Sequence, residues 1–74
     1  MANKKQDKLR LTLFREYNLS ATRKYYRGSR KDLDGQEGYA WHSRALGRWC
    51  FIPAKQDFSL DTIVMVNVKN LRNL

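Results

Sequence analysis

The chain has 74 residues and carries 15 Lys and Arg against 7 Asp and Glu, which gives a formal net charge of +8. This length supports one small domain, and a single cysteine excludes both an intramolecular disulfide and a cysteine-rich zinc site. No apolar run approaches the roughly 20 residues of a membrane-spanning helix, and no apolar segment of a secretory signal follows the basic N-terminus. We therefore expect a soluble, cytoplasmic protein with no part in a membrane.

The charge is distributed unevenly along the chain. Residues 1–31 contain ten basic and two acidic residues, whereas residues 32–74 contain five of each, so the first segment holds the whole net charge. A concentrated excess of one sign causes self-repulsion, and binding to a polyanion is the commonest way in which proteins offset it. The distribution therefore predicts an anionic partner.

The predicted domain organisation is simple. Residues 1–7 are polar and basic with nothing to bury, which predicts a flexible basic arm. Residues 8–74 hold the apolar side chains and predict a single small domain. Within this domain, residues 31–38 combine two glycines with three acidic residues, which predicts a loop.

Residues 8–14 have two competing interpretations. Leucines alternate with polar residues, which is the period of a half-buried strand. A helix is the alternative, because apolar and small side chains also recur along one helical stripe. We predict the strand, followed over residues 15–24 by a turn and a short helix capped at Asn18 or Ser20. The competing stripe consists of Leu11, Phe14, Asn18, Ala21 and Tyr25.

Residues 38–53 combine aromatic side chains with the only histidine and the only cysteine of the chain. Alternation on both sides of Gly47 predicts a β-hairpin, because glycine readily adopts the positive φ of a tight turn. A helix would align Trp41 with Trp49, but a glycine inside it costs about 1 kcal/mol relative to alanine. We predict the hairpin, with Trp41 and Trp49 paired across the strands and Phe51 beside them in the core.

The last third of the chain contains the clearest strand. Residues 62–68 are rich in β-branched side chains and are bounded by polar residues that favour turns. Together, the elements predict a mainly β fold with at most one short helix. We expect a compact three- to four-stranded antiparallel sheet or a small OB-like or SH3-like barrel, with a small α+β fold as the alternative.

Catalysis and metal binding have little support in the sequence. His42 is a candidate general acid or base, but no second histidine or carboxylate stands at a catalytic spacing from it. Cys50 lies between Trp49 and Phe51, where a small buried hydrophobe is the simpler role. These two side chains alone provide too few ligands for a metal ion. We therefore expect no enzymatic activity, no metal and no other cofactor.

Residues 22–31 interleave cations with two tyrosines. Cations neutralise phosphates and release counterions, while aromatic rings stack on unpaired bases. Because adjacent strand residues point to opposite faces, one tyrosine is expected at the surface, and we assign stacking to Tyr26. A second rim is predicted in the hairpin, and the N-terminal lysines would add sequence-independent affinity. The predicted nucleic-acid-binding residues are Arg23, Lys24, Tyr26, Arg27, Arg30, Lys31, His42, Arg44, Arg48, Lys4, Lys5 and Lys8.

Two classes of function fit these features. The first is a small, basic, non-enzymatic protein that binds DNA or RNA. The alternative is an adaptor or inhibitor, such as phages and mobile elements encode, whose basic patch and exposed sheet edge bind an acidic protein. Both require positive charge, so composition does not separate them. An exposed edge over residues 62–68 would also permit a weak homodimer beside the monomer.

Overall fold

The computed structural model describes residues 4–74, with side chains from residue 6 onward. Over these residues the fold consists of one helix, five strands and a short 3₁₀ turn, and the strands make one antiparallel sheet in the order β4-β3-β2-β1-β5. The predicted mainly β class is confirmed, and the sheet has five strands where three or four were predicted. In chain order the elements are α1 (Lys4–Ser20), β1 (Thr22–Tyr26), β2 (Glu37–Ser43), β3 (Arg48–Pro53), β4 (Val64–Val66), the 3₁₀ turn (Val68–Asn70) and β5 (Leu71–Asn73).

The sheet is curled around a core on its inner face. β4 and β5 are opposite edges, about 19 Å apart if the sheet were flat, yet only a short segment with the 3₁₀ turn connects them. Val66 and Leu71, one from each edge, pack into the same buried cluster. Over residues 4–74 the two edges are not paired with each other, so the sheet is not a closed barrel. The inner-face cluster consists of Tyr26, Leu33, Ala40, Phe51, Val66 and Leu71.

The helix α1 covers the outer face of β2 and β3. Trp41, Cys50 and Ile52 point to this face, where they pack with Tyr17 of the helix and Phe58 of the loop after β3. Both faces of the β2–β3 pair are therefore largely buried. Successive side chains point to opposite faces, but most of them are buried on either face. Four aromatic contacts close this layer, with ring centroids 5.0 to 6.5 Å apart.

The predicted hairpin is confirmed, but the predicted tryptophan pair is wrong. β2 and β3 pair in a register that sets Trp41 opposite Cys50 and His42 opposite Trp49. Gly47 in the turn has φ +65°. This register sends Trp41 to the outer face, where it is buried, and Trp49 to the inner face, where it is only partly buried. The two tryptophans therefore belong to different cores.

The predicted strand over residues 8–14 and the short helix after it are wrong. The structure forms a continuous helix there, and β1 begins at Thr22. Leu13, Glu16 and Tyr17 are spaced three and four residues apart, so a helix points them together at the sheet. Leu11 instead is 56% exposed and Leu13 only 1%, so the alternating leucines did not report a buried strand face.

The ends of the predicted elements also differ from the structure. Residues 4–7 of the predicted arm form the start of α1, and residues 1–3 lie outside the described residues. Of the predicted strand over residues 62–68, only Val64–Val66 pairs with β3. Across residues 4–74, no helix combines the length and the hydropathy that crossing a membrane requires.

Candidate nucleic-acid interface

The fold separates the predicted binding residues instead of gathering them into one patch. They lie on β1, in the loop after it, in the β2–β3 hairpin and at the start of α1. The loop and the hairpin turn are at opposite ends of β2, whose length is about 20 Å. The groups are Arg23 with Lys24; Arg27 with Arg30 and Lys31; His42 with Arg44 and Arg48; and Lys8 with Lys4 and Lys5, whose side chains lie outside the described ones.

Three of the predicted cations form ion pairs with acidic residues that follow β1. All of these side chains are roughly half exposed, so each pair contributes at most about 1 kcal/mol to stability. The carboxylates nevertheless lower the local positive potential that a phosphate would meet. The pairs are Arg23 with Glu37 at 2.9 Å, Arg27 with Asp34 at 3.8 Å and Arg30 with Asp32 at 3.1 Å.

The loop over residues 27–36 is held by its own hydrogen bonds and by one core side chain. Leu33 is buried in the inner-face cluster, and the backbone N–H of Asp34 donates to the Arg30 carbonyl at 2.9 Å. The Asp34 carboxylate accepts from the backbone N–H of Gly28 at 3.1 Å. This hydrogen bond keeps the negative charge of Asp34 close to Arg27, whose Nε lies 3.8 Å from the same carboxylate oxygen. Arg27 is therefore a weaker phosphate ligand than the sequence suggests.

The predicted stacking residue is wrong, although the two tyrosines do point to opposite faces. Tyr26 is 2% exposed, and its ring packs in the inner-face cluster 6.4 Å from that of Phe51. The side-chain amide of Asn70 donates to its hydroxyl at 3.4 Å. Tyr25 points to the outer face and is partly exposed. The curl of the sheet buries the inner face at this position, so Tyr25 is the ring that a ligand can reach.

On the outer face of the sheet, β1 and its two neighbouring strands place two cations and two aromatic rings side by side. The sheet register sets Arg23 opposite Tyr39, and it sets Tyr25 between Glu37 and Arg72. The guanidinium carbon of Arg23 lies 5.7 Å from the centroid of the Tyr39 ring, within the range of a cation–π contact. Lys55 joins this surface from the loop after β3. We call Arg23, Tyr25, Glu37, Tyr39, Lys55 and Arg72 the β1 outer patch.

The charge of the β1 outer patch is positive. Arg23 and Lys55 line an open groove of ≈ 450 Å³ that also contains Glu37. The Nη1 of Arg72 donates to the backbone carbonyls of Lys69 and Leu71, at 3.3 Å for the latter. The patch thus has three cations and one carboxylate.

The hairpin turn depends on Glu16, a residue that the sequence interpretation missed. Its carboxylate accepts hydrogen bonds from the turn backbone and from Trp41. Burial alone would raise the pKa of Glu16, but hydrogen bonds, with the Ser43 hydroxyl first, lower the pKa below the usual value. The signal in the sequence was the position of Glu16 three residues after Leu13, which places an acidic side chain on the sheet-facing side of a helix.

The chemistry around the hairpin is that of packing rather than of a reactive centre. The exposed His42 packs edge-to-face on Trp49, with ring centroids 5.7 Å apart. Burial, with a smaller effect from the charge of Glu16, raises the pKa of the Cys50 thiol to about 11, and Arg48 opposes this shift. The thiol is therefore protonated near neutral pH, the less nucleophilic form. Across residues 4–74, no three His, Cys, Asp or Glu side chains are grouped to hold a metal ion.

Comparison with known proteins assigns no family to this chain. It matches no protein-family model, no curated protein and no solved structure. Its function must therefore be inferred from its own fold, charge and exposed side chains.

Proposed function

We propose that the protein is a small, non-enzymatic nucleic-acid-binding protein whose binding surface is the β1 outer patch. The observation that carries the proposal is the row of exposed Arg23, partly exposed Tyr25 and exposed Arg72 on one face of the sheet. Arginine neutralises phosphates and also stacks through its plane, and a tyrosine ring stacks on a base. We place the protein in the cytoplasm, since its one cysteine is a free thiol.

The remaining exposed cations support this proposal by attracting the ligand at long range. A net charge of +8 raises the encounter rate with a polyanion without any fixed contact. The cations at the loop and the hairpin are assigned this supporting role, because they lie outside the β1 outer patch. They are Arg27, Arg30, Lys31, Arg44 and Arg48, while the half-buried Lys24 on β1 donates to the side-chain oxygen of Asn73 at 2.6 Å.

The proposal is tested by following backbone amide chemical shifts while adding DNA, RNA or inorganic polyphosphate. Amides of the β1 outer patch should shift with nucleic acid, and the shifts with polyphosphate should spread over the whole basic surface. The proposal is overturned if neither DNA nor RNA binds at about 50 mM salt, where electrostatic binding is strong.

Two matched double variants locate the surface. Replacing Arg23 and Arg72 by Gln should lower the slope of log affinity against log salt by about 1.5, since each phosphate contact contributes roughly 0.7 to 0.9. Replacing Arg27 and Arg30 by Gln removes the same charge and should change the slope less, because both side chains lie in the loop outside the β1 outer patch. Equal effects of the two pairs would show that the surface is not centred on β1.

A second candidate function is supported by a different surface. On α1, Leu11, Phe14 and Leu19 are 56%, 43% and 80% exposed, and Arg15 lies among them. An apolar stripe with basic neighbours suits an adaptor or inhibitor that binds an acidic protein. This function predicts that Leu19→Ser weakens partner binding while leaving nucleic-acid affinity unchanged. An equal loss of both activities would contradict it.

A further inference from the structure

We infer that the nucleic acid bound at the β1 outer patch is single-stranded and that Tyr25 stacks on one of its bases. This inference rests on the proposed function and names the class of ligand. It follows from the position of the Tyr25 ring and from the surfaces that α1 and the β2–β3 hairpin would present to the groove of a duplex.

The Tyr25 ring lies on the face of a sheet rather than at the tip of a projecting element. The register places it between Glu37 and Arg72, with Arg23 two residues earlier on the same face. A ring in this position can stack on a base only if the base is unpaired and turned outward, because base faces inside a duplex are covered by neighbouring pairs. The position of Tyr25 therefore favours a single strand.

The helix is poorly suited to read a duplex. A recognition helix offers polar or charged side chains to the base edges in the major groove. The face of α1 towards the sheet is occupied, with Leu13 1% exposed and Tyr17 packed on Trp41. Its exposed side mixes the apolar side chains of Leu11 and Leu19 with Arg10, Arg15 and Asn18, so apolar surface would enter the groove together with these polar groups.

The β2–β3 hairpin has the shape of a two-stranded ribbon that fits a major groove, but hydrogen bonds attach its turn to the helix. Glu16 accepts hydrogen bonds from the backbone N–H groups of Arg44 and Ala45, both at 3.1 Å. These contacts hold the turn and occupy backbone donors that a phosphate would use. The helix would thus bring apolar surface into a major groove, and the hairpin turn has its backbone donors engaged, so both elements suit a duplex less well than the sheet face suits a single strand.

The cations beside Tyr25 are placed to hold the backbone of a stacked strand. Arg23 and Tyr25 are two residues apart on one strand face, about 7 Å along the strand. The Arg23 guanidinium is fixed by Glu37 at 2.9 Å and by the Tyr39 ring. Arg72 is the neighbour of Tyr25 across the sheet, on β5, and Glu37 is its neighbour on β2. A base on the ring would thus have one arginine along the strand and one across it for its flanking phosphates.

Fluorescence anisotropy with a labelled thymine oligonucleotide of about 15 nucleotides, a site size within the range of single-strand binders, tests the inference. The duplex of the same length is the comparison ligand. The single strand should bind at least about 10-fold more tightly than the duplex under one salt condition, since only it can stack on Tyr25. Tyr25→Ala should weaken single-strand binding by roughly 5- to 100-fold, and Tyr25→Phe should retain most of the affinity.

The wild-type protein provides a readout that needs no variant. Stacking of a base should move the Tyr25 ring-proton resonances upfield when the single strand is added, and the duplex should leave them in place. Tighter duplex binding, an unmoved Tyr25 resonance or an unaffected Tyr25→Ala variant would overturn the inference while leaving nucleic-acid binding intact. Binding of polyphosphate but of no DNA or RNA would overturn the proposed function as well.

Discussion

The Glu16 carboxylate, on the helix α1, accepts a hydrogen bond from the backbone N–H of Arg44 at 3.1 Å in the turn between β2 and β3. The same oxygen accepts from the Ala45 N–H at 3.1 Å, and the other oxygen accepts from the Trp41 indole N–H at 3.3 Å. One side chain thus satisfies donors in the hairpin and fixes the helix on the outer face of the sheet. The hairpin turn and the helix are therefore expected to loosen together.

Removing the Glu16 carboxylate should destabilise the protein. Glu16→Ala leaves three N–H donors without their acceptor, and water can reach some of them, so we expect a loss of about 1–2 kcal/mol in the free energy of unfolding. Urea denaturation monitored by tryptophan fluorescence measures this loss. The matched control is Glu37→Ala, which breaks an exposed ion pair and should cost less than about 1 kcal/mol. Equal losses would contradict the role assigned to Glu16.

The lowered pKa of Glu16 makes a prediction about stability and pH. Burial raises the pKa, but hydrogen bonds with Ser43, Ala45, Trp41 and Arg44 together outweigh it and lower the value. The folded state then binds a proton less readily than the unfolded state, whose glutamate pKa is about 4.3. The stabilisation is therefore fully present above this pH and is lost as the pH falls through the lower folded-state pKa.

The measurement is the urea midpoint of wild type and Glu16→Gln between neutral pH and about pH 3, across the unfolded glutamate pKa. The wild-type midpoint should fall below about pH 4.5, and the variant should fall less over the same window because it lacks the titrating group. Parallel curves for the two proteins would show that other carboxylates cause the acid sensitivity.

The hairpin could be predicted from the sequence because its signals are local. The alternating residues on both sides of Gly47 pair with each other across the turn, and Gly47 adopts φ +65° there. The pattern and the contacts it predicts therefore lie within a few residues of each other. The helix could not be predicted, because its leucines fit two periods equally well. What favours the helix is an apolar outer sheet face, including Trp41 and Ile52, that needs a cover. That need arises only after the strands have paired.

The candidate site was only partly predictable for the same reason. A surface tyrosine beside cations follows from the spacing in β1, but the choice between Tyr25 and Tyr26 depends on which face the curl buries. The position of Arg72 next to Tyr25 depends on β5 crossing to pair with β1. Local charge counting also misses that Asp34 and its neighbours fold back onto the cations that precede them.

Of the four glycines, Gly38 in β2 is the least able to accept a side chain. A Cβ there would lie 2.3 Å from the Ile52 carbonyl oxygen and 2.7 Å from the Phe51 Cζ, both fixed by the sheet and the core. Gly38→Ala should therefore destabilise the protein by about 3 kcal/mol or more, or prevent folding. Thermal unfolding followed by circular dichroism checks this.

Gly47→Ala is the matched control for this substitution. A Cβ at Gly47 meets no atom within 4 Å, and φ is +65°, so the cost should be only the backbone strain of about 1 kcal/mol. The expected order is a much larger loss at Gly38 than at Gly47. The reverse order would mean that β2 can move away from β3 without disturbing the core.

Cys50 should be unreactive in the folded protein. The thiol is fully buried, and burial, assisted by the charge of Glu16, raises its pKa to about 11. Because only the thiolate is alkylated, the thiol should react with iodoacetamide at pH 8 at least about 100-fold more slowly in the native protein than in urea, where its pKa is near 8.5. Mass spectrometry of timed samples gives both rates.

Glu16→Gln gives this prediction a second readout. The substitution removes a negative charge that disfavours the thiolate and also loosens the hairpin beside it, so native-state alkylation should accelerate. Arg48→Gln removes the opposing positive charge without touching the Glu16 contacts, and its alkylation should be no faster than that of the wild type. Rapid labelling of the wild-type native protein would show that the outer face opens more readily than its packing indicates, and the role of α1 as its cover would then be wrong.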